Sequence, residues 1–165
     1  MEVFDLLKKL DISYDVIHHK RLVSSKDSEN EKIDFKGAVC CKNLLVRVQN
    51  GASKGKMYLI SLSIFKRADL KSISQYLKIG RLTFADEDEL YKNLGVKRGE
   101  ASIFNIILKP DTDVCFLVDS ELLNEKLVAF HPNDNSMSVS INPKDIEKIF
   151  KHFNCSYMFF NTERK

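Results

Sequence analysis

The sequence has few of the features that mark a disordered, fibrous or membrane-spanning protein. Its 165 residues include six glycines and three prolines, and no apolar run approaches the roughly 20 residues that a helix needs to cross a bilayer. Its first residues, Met1 to Asp5, carry acids where a secretory signal carries basic residues, so we expect a cytoplasmic protein. Hydrophobic residues make up 44% and charged residues 30%, which favours a single globular domain over residues 1–165.

The cysteines lack the spacing of a disulfide framework or of a metal site. Four are present, at positions 40, 41, 115 and 155, without a CxxC pair. Cys40 and Cys41 are adjacent within an apolar segment. We therefore interpret the cysteines as buried free thiols in a reducing compartment.

The positive charge is modest and is concentrated in the middle of the chain. The formal net charge is +3, and lysines and arginines are most frequent between residues 54 and 98. A nucleic-acid surface needs such clustering, but lysines on solvated helix faces produce the same composition. The charge permits an RNA partner without requiring one.

Hydrophobic periodicity predicts an α+β fold: one domain with a mixed, largely antiparallel β-sheet and surrounding helices. The turn at 50–55 predicts a hairpin, and the segment 38–48, apolar on both faces, is expected to be central. The polar stretch 24–32 predicts a loop or a short surface helix. Helices are expected at 2–10, 70–80, 86–94 and 142–152, and strands at 14–19, 38–48, 57–62, 82–84, 114–118, 127–130, 137–141 and 157–160.

Lys42 is the first candidate functional residue, because it interrupts an apolar strand. Strand alternation places it on the same face as Cys40, Leu44 and Val46. An ammonium group on an apolar face is costly unless it meets an anion or a water-filled cleft. The alternative is that the sheet frays here and Lys42 reaches solvent.

Two further segments could contribute to a site. The loop after Leu94 is basic and contains Gly99, so its backbone N–H groups could surround an anion or a developing oxyanion, although a glycine in such a loop is more often only a turn residue. His131 follows a strand and begins a tight turn, where it could be either a catalytic group or a hydrogen-bonded turn residue. Neither segment is specific by itself.

Several common catalytic patterns are absent from the sequence. It contains no GxSxG, GxxxxGK[ST] or GxGxxG motif. His18 and His19 alternate across a strand, and no further ligand stands at metal spacing, so we expect neither a metal nor another cofactor.

Taken in order, three segments resemble one family. These are the Lys42-Asn43-Leu44 strand, the Leu-Gly-Val-x-x-Gly-x-x-Ser loop at 94–102 and the Phe-His-Pro-x-x-Asn turn at 130–135. They are similar to the YbaK/ProX family, which contains the editing insertion of bacterial prolyl-tRNA synthetases and its free-standing relatives. The resemblance extends from about residue 37 to 150, and the free-standing alanyl-tRNA(Pro) deacylases match it best.

The resemblance implies hydrolysis of mischarged aminoacyl-tRNA, most naturally Ala-tRNA(Pro). Its implied partner is the acceptor end of tRNA, with prolyl-tRNA synthetase left open as a second partner; it implies neither DNA nor a membrane. A synthetase pocket shaped for proline cannot exclude a smaller amino acid by binding alone, so a second site must remove it.

The same resemblance implies a role for each matching residue. Lys42 would hold the phosphate or sugar of the terminal adenosine, and His131 would line the amino-acid pocket. A hydroxyl of the substrate ribose, with a water, would take the place of a protein nucleophile. The expected substrate-binding residues are Cys40, Asn43, Gly99, Glu100, Ala101, Ser102 and His131.

Two positions depart from the family pattern. Many relatives have proline where this chain has Ile103, and relatives often have histidine where it has Cys40. Both lie close to the expected site, so the amino acid removed could be Cys, Ser or Thr instead. The chain could also be a non-catalytic tRNA-binding or regulatory module, or a thiol hydrolase in which Cys40 or Cys41 acts with His131.

Overall fold

A computed structural model describes residues 1–21 and 33–162 of the chain. Within them, the α+β prediction is confirmed: eight strands form one mixed sheet with four α-helices around it. The segment 24–32, expected to be a loop or short helix, lies outside the described residues. The helices are α1 (Val3–Lys9), α2 (Leu70–Leu77), α3 (Glu87–Leu94) and α4 (Ile146–Phe153).

The strands keep the predicted order, with ends that differ by a residue or two. Strand β2 pairs with β3 as the expected antiparallel hairpin, and the sheet order is β1-β7-β6-β2-β3-β5-β8, with β4 also paired to β2. Of the seven pairings, four are antiparallel and three are parallel. The strands are β1 (Tyr14–His18), β2 (Val39–Val48), β3 (Met57–Ser63), β4 (Leu82–Phe84), β5 (Cys115–Asp119), β6 (Val128–Phe130), β7 (Met137–Ile141) and β8 (Tyr157–Phe160).

Strand β2 is central, as its apolar pattern predicted. One of its edges pairs with a single strand, and the other pairs with two different strands. One edge pairs with β3 over residues 41–47. The other edge pairs with β6 at Val39 and Cys40 and with β4 from Val46 to Val48. Among the described residues, no strand ladder occupies that second edge between these two pairings. We call this stretch, residues 41–44 of β2, the fork; at residue 45 the edge is already bonded, because the Ala85 amide donates to the Leu45 carbonyl over 2.9 Å.

The two faces of the sheet bury separate apolar clusters. The larger cluster contains Leu6, Leu59, Phe116 and Phe150, and α1 and α4 contribute to it. The smaller cluster lies on the opposite face, where Ile73 of α2 packs with side chains of β2, β3 and β5. Because β2 contributes to both clusters, its backbone is fixed from both sides.

Two helix boundaries differ from the sequence prediction for physical reasons. Helix α2 ends at Leu77 instead of Gly80, because Lys78 takes the left-handed cap conformation. Gly80 is required for another reason: a Cβ there would lie 2.0 Å from the Asn50 carbonyl oxygen. The final helix begins with a short 3-10 turn at Pro143–Asp145 before α4, because Asn142 caps that turn through the Lys144 amide.

Candidate functional site

Lys42 is half-buried on β2 at the fork. The strand register places it on the face that carries Leu44 and Val46, as the alternation predicted, and these two residues belong to the smaller apolar cluster. In the parallel pairing Cys40 stands opposite Ala129 of β6. Extending that register by two residues places His131 at the level of Lys42 along the sheet.

Asn43 and Cys40 differ in their surroundings. The Ser61 hydroxyl donates a 2.6 Å hydrogen bond to Oδ1 of Asn43, which joins β2 to β3 on the face opposite Lys42. Cys40 is buried, with 6% of its surface exposed, and shares the Lys42 face. Cys40 therefore lies buried on the Lys42 face of β2, whereas Asn43 stabilises the strand pair.

The glycine-containing loop begins where α3 ends. Gly95 terminates the helix in the left-handed conformation at φ 73°, and Gly99 has φ 87°, which an L-residue with a side chain rarely adopts. Between them a tight turn forms, because the Glu100 amide donates to the Lys97 carbonyl and the Lys97 amide donates to the Glu100 carboxylate. The loop backbone is thus ordered before any substrate binds.

A fully buried pair, Ser102 and Asn105, fixes the second half of the loop. The Ser102 amide donates to Oδ1 of Asn105 over 2.8 Å, and the Ser102 hydroxyl accepts from the Phe104 amide. Together these bonds form a capping box at the start of the 3-10 helix Ile103–Ile107. The Ser102 side chain therefore shapes the loop from inside the protein.

Asn133 connects this loop to the turn that follows His131. Its Oδ1 accepts a 2.8 Å hydrogen bond from Nδ2 of Asn105, and its Nδ2 donates to the Phe104 carbonyl over 3.1 Å. Asn133 adopts φ 63°, a left-handed conformation that asparagine tolerates better than most residues. Two segments about 30 residues apart in sequence are thereby held together.

His131 is held as a neutral imidazole in one orientation. Nδ1 lies 3.1 Å from the Met137 carbonyl oxygen, which can only accept, so Nδ1 carries a proton. Burial lowers the pKa of His131 below its ordinary value; the Met137 carbonyl opposes this shift, and nearby His19 adds to it. Because Nδ1 holds the proton, Nε2 of the neutral ring is the acceptor nitrogen.

His19 extends the site along β7. Its ring centroid lies 5.9 Å from that of His131, and its Nε2 lies 2.9 Å from the Ser138 hydroxyl. Nδ1 of His19 lies 2.8 Å from the Lys20 carbonyl oxygen, which can only accept, so Nδ1 donates there. An open cleft of about 530 Å³ adjoins His19, lined by residues 16–20, 33, 34 and 36.

The environments of Cys41 and Cys155 do not favour either thiol as a nucleophile. Cys41 faces the larger core, and burial is the main cause that raises its pKa well above the ordinary value. Burial likewise raises the pKa of Cys155 to about 11. A thiol attacks as its thiolate, so raised pKa values leave these groups unreactive near neutral pH. The cysteines are free, as the sequence predicted.

The structure therefore places the sequence-predicted residues in two connected groups. Lys42 and Cys40 lie on β2, and the loop 99–102 is tied to the His131 turn near the end of β6. Within residues 1–21 and 33–162, no group of three or more His, Cys, Asp or Glu side chains could hold a metal ion. No described helix is both long enough and apolar enough to span a membrane.

Sequence reasoning missed the two asparagines that join the loop 99–102 to the His131 turn. Asn105 stands in the apolar run Ile103–Ile107, and a polar residue inside such a run was the available signal. Asn133 lies in a turn rich in polar residues, where nothing in the local sequence distinguishes it. Its role depends on a contact with residues nearly 30 positions away.

Comparison with known proteins identifies the family. Residues 23–149 match the family model of the aminoacyl-tRNA editing domain. The chain is 34% identical over 146 residues to the prolyl-tRNA editing protein ProX of Acetoanaerobium sticklandii, covering 88% of this chain and 86% of that protein. It is 27% identical to the prolyl-tRNA synthetase associated domain-containing protein 1 of Mus musculus, covering 87% and 85% of the two chains.

Solved structures share the fold. The crystal structure of hypothetical protein APE2540 superimposes with a TM-score of 0.69 at 15% identity, covering 96% of this chain and 98% of the other. A candidate trans-editing enzyme for prolyl-tRNA synthetase superimposes with a TM-score of 0.63 at 16% identity, covering 95% and 92%. With the family model and the ProX relative, the chain belongs to the aminoacyl-tRNA editing domain family, the YbaK/ProX family.

Proposed function

We propose that this protein is a trans-editing deacylase, which hydrolyses the ester between a wrong amino acid and the terminal ribose of tRNA, with Ala-tRNA(Pro) as its substrate. The relative named as a prolyl-tRNA editing protein supports the reaction class. The observation that carries the proposal is the bond between Asn105 and Asn133, which joins the Gly99–Ser102 loop to the His131 turn beside β2.

In the proposed reaction, a water oxygen attacks the ester carbonyl carbon and the carbon–oxygen bond to the ribose breaks. The attacking water gives up a proton, and the leaving ribose oxygen gains one. A neighbouring hydroxyl of the same ribose orients the water, so the products are the free amino acid and tRNA with intact ribose hydroxyls. The protein supplies position and electrostatic stabilisation, without a covalent intermediate.

We assign Lys42 to the nucleic-acid part of the substrate. Lys42 is half-buried and shares its strand face with apolar side chains, where a phosphate or ribose oxygen would be a favourable partner for its ammonium group. It would fix the terminal adenosine and thereby hold the ester in place. Lys42 would not act as a base in this scheme.

The loop would receive the ester carbonyl. The amides of Glu100 and Ser102 already donate within the protein. Among the described residues, those of Gly99 and Ala101 donate to no protein acceptor. These two N–H groups are our candidates for stabilising the oxyanion. A turned loop presents such groups to the substrate with little reorganisation.

His131 and Cys40 would limit the size of the amino acid. His131 is held rigidly through Met137, and its neutral ring presents Nε2 as an acceptor. Cys40 and Ala129 are buried opposite each other on the neighbouring strands. A pocket bounded by such fixed groups would admit a small side chain such as alanine and reject proline by overlap.

A panel of labelled aminoacyl-tRNAs tests the proposal directly. We expect Ala-tRNA(Pro) to be hydrolysed well above the buffer rate, and correctly charged Pro-tRNA(Pro) to be spared. If a Cys, Ser or Thr ester is hydrolysed preferentially, the proposed substrate is wrong but the proposed reaction, deacylation, still holds. If no ester is lost while tRNA still binds, the chain is a binding module and the deacylase proposal is wrong.

A second substrate separates ribose assistance from a cysteine nucleophile. Ala-tRNA(Pro) esterified at the 3′ position and lacking the neighbouring 2′-hydroxyl should bind normally and react slowly. A thiol nucleophile would tolerate this change and form an acyl-enzyme. Trapping such an adduct on Cys40 would overturn the mechanism but not the substrate class.

A further inference from the structure

Asn105 is buried and makes three hydrogen bonds that fix the orientation of its amide. Oδ1 faces the Ser102 amide, which can only donate. Nδ2 lies 3.2 Å from the Glu100 carbonyl and 2.8 Å from Oδ1 of Asn133. Exchange of Oδ1 and Nδ2 would set two donors against each other at Ser102 and two acceptors at Glu100, so the geometry allows a single assignment.

The bond to the Glu100 carbonyl has a consequence for the next amide. The Glu100 carbonyl and the Ala101 N–H belong to one peptide unit, and none of the described peptide bonds is cis. In a trans peptide these two groups point in opposite directions. Since Nδ2 of Asn105 draws the carbonyl inward, the Ala101 N–H must point away from the Asn105 side chain.

We propose that Asn105 is a positioning residue that aims the Ala101 N–H at the ester carbonyl of the substrate, and that Asn133 holds Asn105 in place for this task. Asn133 contributes because its side chain fills the remaining donor site of Asn105 and also binds the Phe104 carbonyl. This inference rests on the proposed deacylase function. It adds the side chains, Asn105 and Asn133, that orient the oxyanion donor.

The kinetic test compares Asn105→Ala with Asn93→Ala. Asn93 also donates from its side chain to a backbone carbonyl, that of Glu89 in α3, but lies outside the loop. Single-turnover deacylation by Asn105→Ala should slow by about 100-fold, the size of a lost oxyanion donor. Its Kd for tRNA should stay within about twofold, because the Ala101 donor acts on the developing charge. Asn93→Ala should retain the wild-type rate.

Amide hydrogen exchange provides a readout that does not depend on activity. In the wild type the Ser102 amide should be protected by Asn105 and the Ala101 amide should exchange faster. In Asn105→Ala the protection of Ser102 should fall at least tenfold, while the amide of Leu117 in β5 stays unchanged. If Asn105→Ala does not fold, Asn133→Ala serves instead, because Asn133 is only partly buried; its rate should fall about tenfold.

The outcomes distinguish this inference from the function on which it rests. A folded Asn105→Ala protein that loses Ser102 protection but keeps the wild-type rate would overturn the positioning role. An equal loss of rate and of tRNA affinity would also overturn it, because general loosening of the site produces that pattern. If the wild type itself hydrolyses no ester, the proposed function fails, whereas the exchange pattern still tests the geometry around Asn105.

Discussion

At the residue scale, Lys42 combines a charge with an apolar neighbourhood. It shares its face of β2 with Leu44 and Val46, and it lies in the fork, between the pairings of β2 with β6 and with β4. Our proposal for Lys42 is therefore that it anchors the terminal adenosine.

Lys42→Ala should abolish most deacylation and leave the protein folded. Loss of an anchoring cation should cost about 2–4 kcal/mol of transition-state stabilisation, by analogy with the removal of single oxyanion-hole donors. The measurement is the single-turnover rate on Ala-tRNA(Pro), with circular dichroism as the check on folding. Lys54→Ala, an exposed lysine in the β2–β3 turn, is the matched control and should keep its rate. A folded Lys42→Ala protein with wild-type activity would contradict the assignment.

At the element scale, the loop after α3 depends on backbone conformation more than on side chains. Helix α3 begins with the predicted capping box, in which Asp86 and Glu89 each bind the other's amide, and ends at Gly95. The ion pair between Glu89 and Arg47 connects the helix to β2. The loop therefore starts from a fixed point, and Gly99 then sets its direction.

Gly99→Ala should lower deacylation and destabilise the fold slightly. Its φ of 87° is strained for alanine, which costs about 1–2 kcal/mol and turns the neighbouring amides away from the ester. Gly55→Ala is the matched control, because Gly55 has φ 91°, no atom within 4 Å of an added Cβ, and a place in the β2–β3 turn. Both variants should show similar unfolding free energies, but Gly55→Ala should keep the wild-type rate. Equal rates for the two would show that the loop conformation is irrelevant to the reaction.

The sequence predicted the elements better than their pairing. Local signals sufficed for the capping box at Asp86 and for the β2–β3 hairpin, because both depend on residues close in the chain. The three parallel pairings depend on contacts between distant strands, so no periodicity revealed them. The same limit explains why Lys42 and His131 could be selected from the sequence while the Asn105–Asn133 bond could not.

At the scale of the whole molecule, the buried histidine links stability to pH. The unfolded chain binds a proton at the ordinary histidine pKa of about 6.5, whereas the folded protein disfavours the charged His131 ring and binds it at lower pH. Between these two pKa values the unfolded state holds more protons. The free energy of unfolding should therefore decrease as the pH falls below about 6.5 and become level again below the folded pKa.

His131→Asn should remove this contribution while keeping a donor for the Met137 carbonyl. At pH 7.5 we expect the variant to be less stable than the wild type, because packing is lost. As the pH falls towards 5, the difference in unfolding free energy should narrow, which urea titrations at several pH values can measure. His18→Asn, on the exposed side of β1, shows the effect of removing a surface imidazole. A difference for His131→Asn that stays constant with pH would contradict the coupling.

The fork in β2 also affects how the molecule can open. In the sheet order of the described residues, strands β1, β7 and β6 connect to β3, β4, β5 and β8 through β2 alone. Local fluctuations can loosen either set of strands separately, but both sets lose their alignment if β2 detaches. The strand that carries Lys42 is thus also the one on which cooperative folding depends. A substitution in β2 must therefore preserve its pairing with the strands on both sides as well as the position of Lys42. A substitution in either set of flanking strands has to preserve packing within that set only.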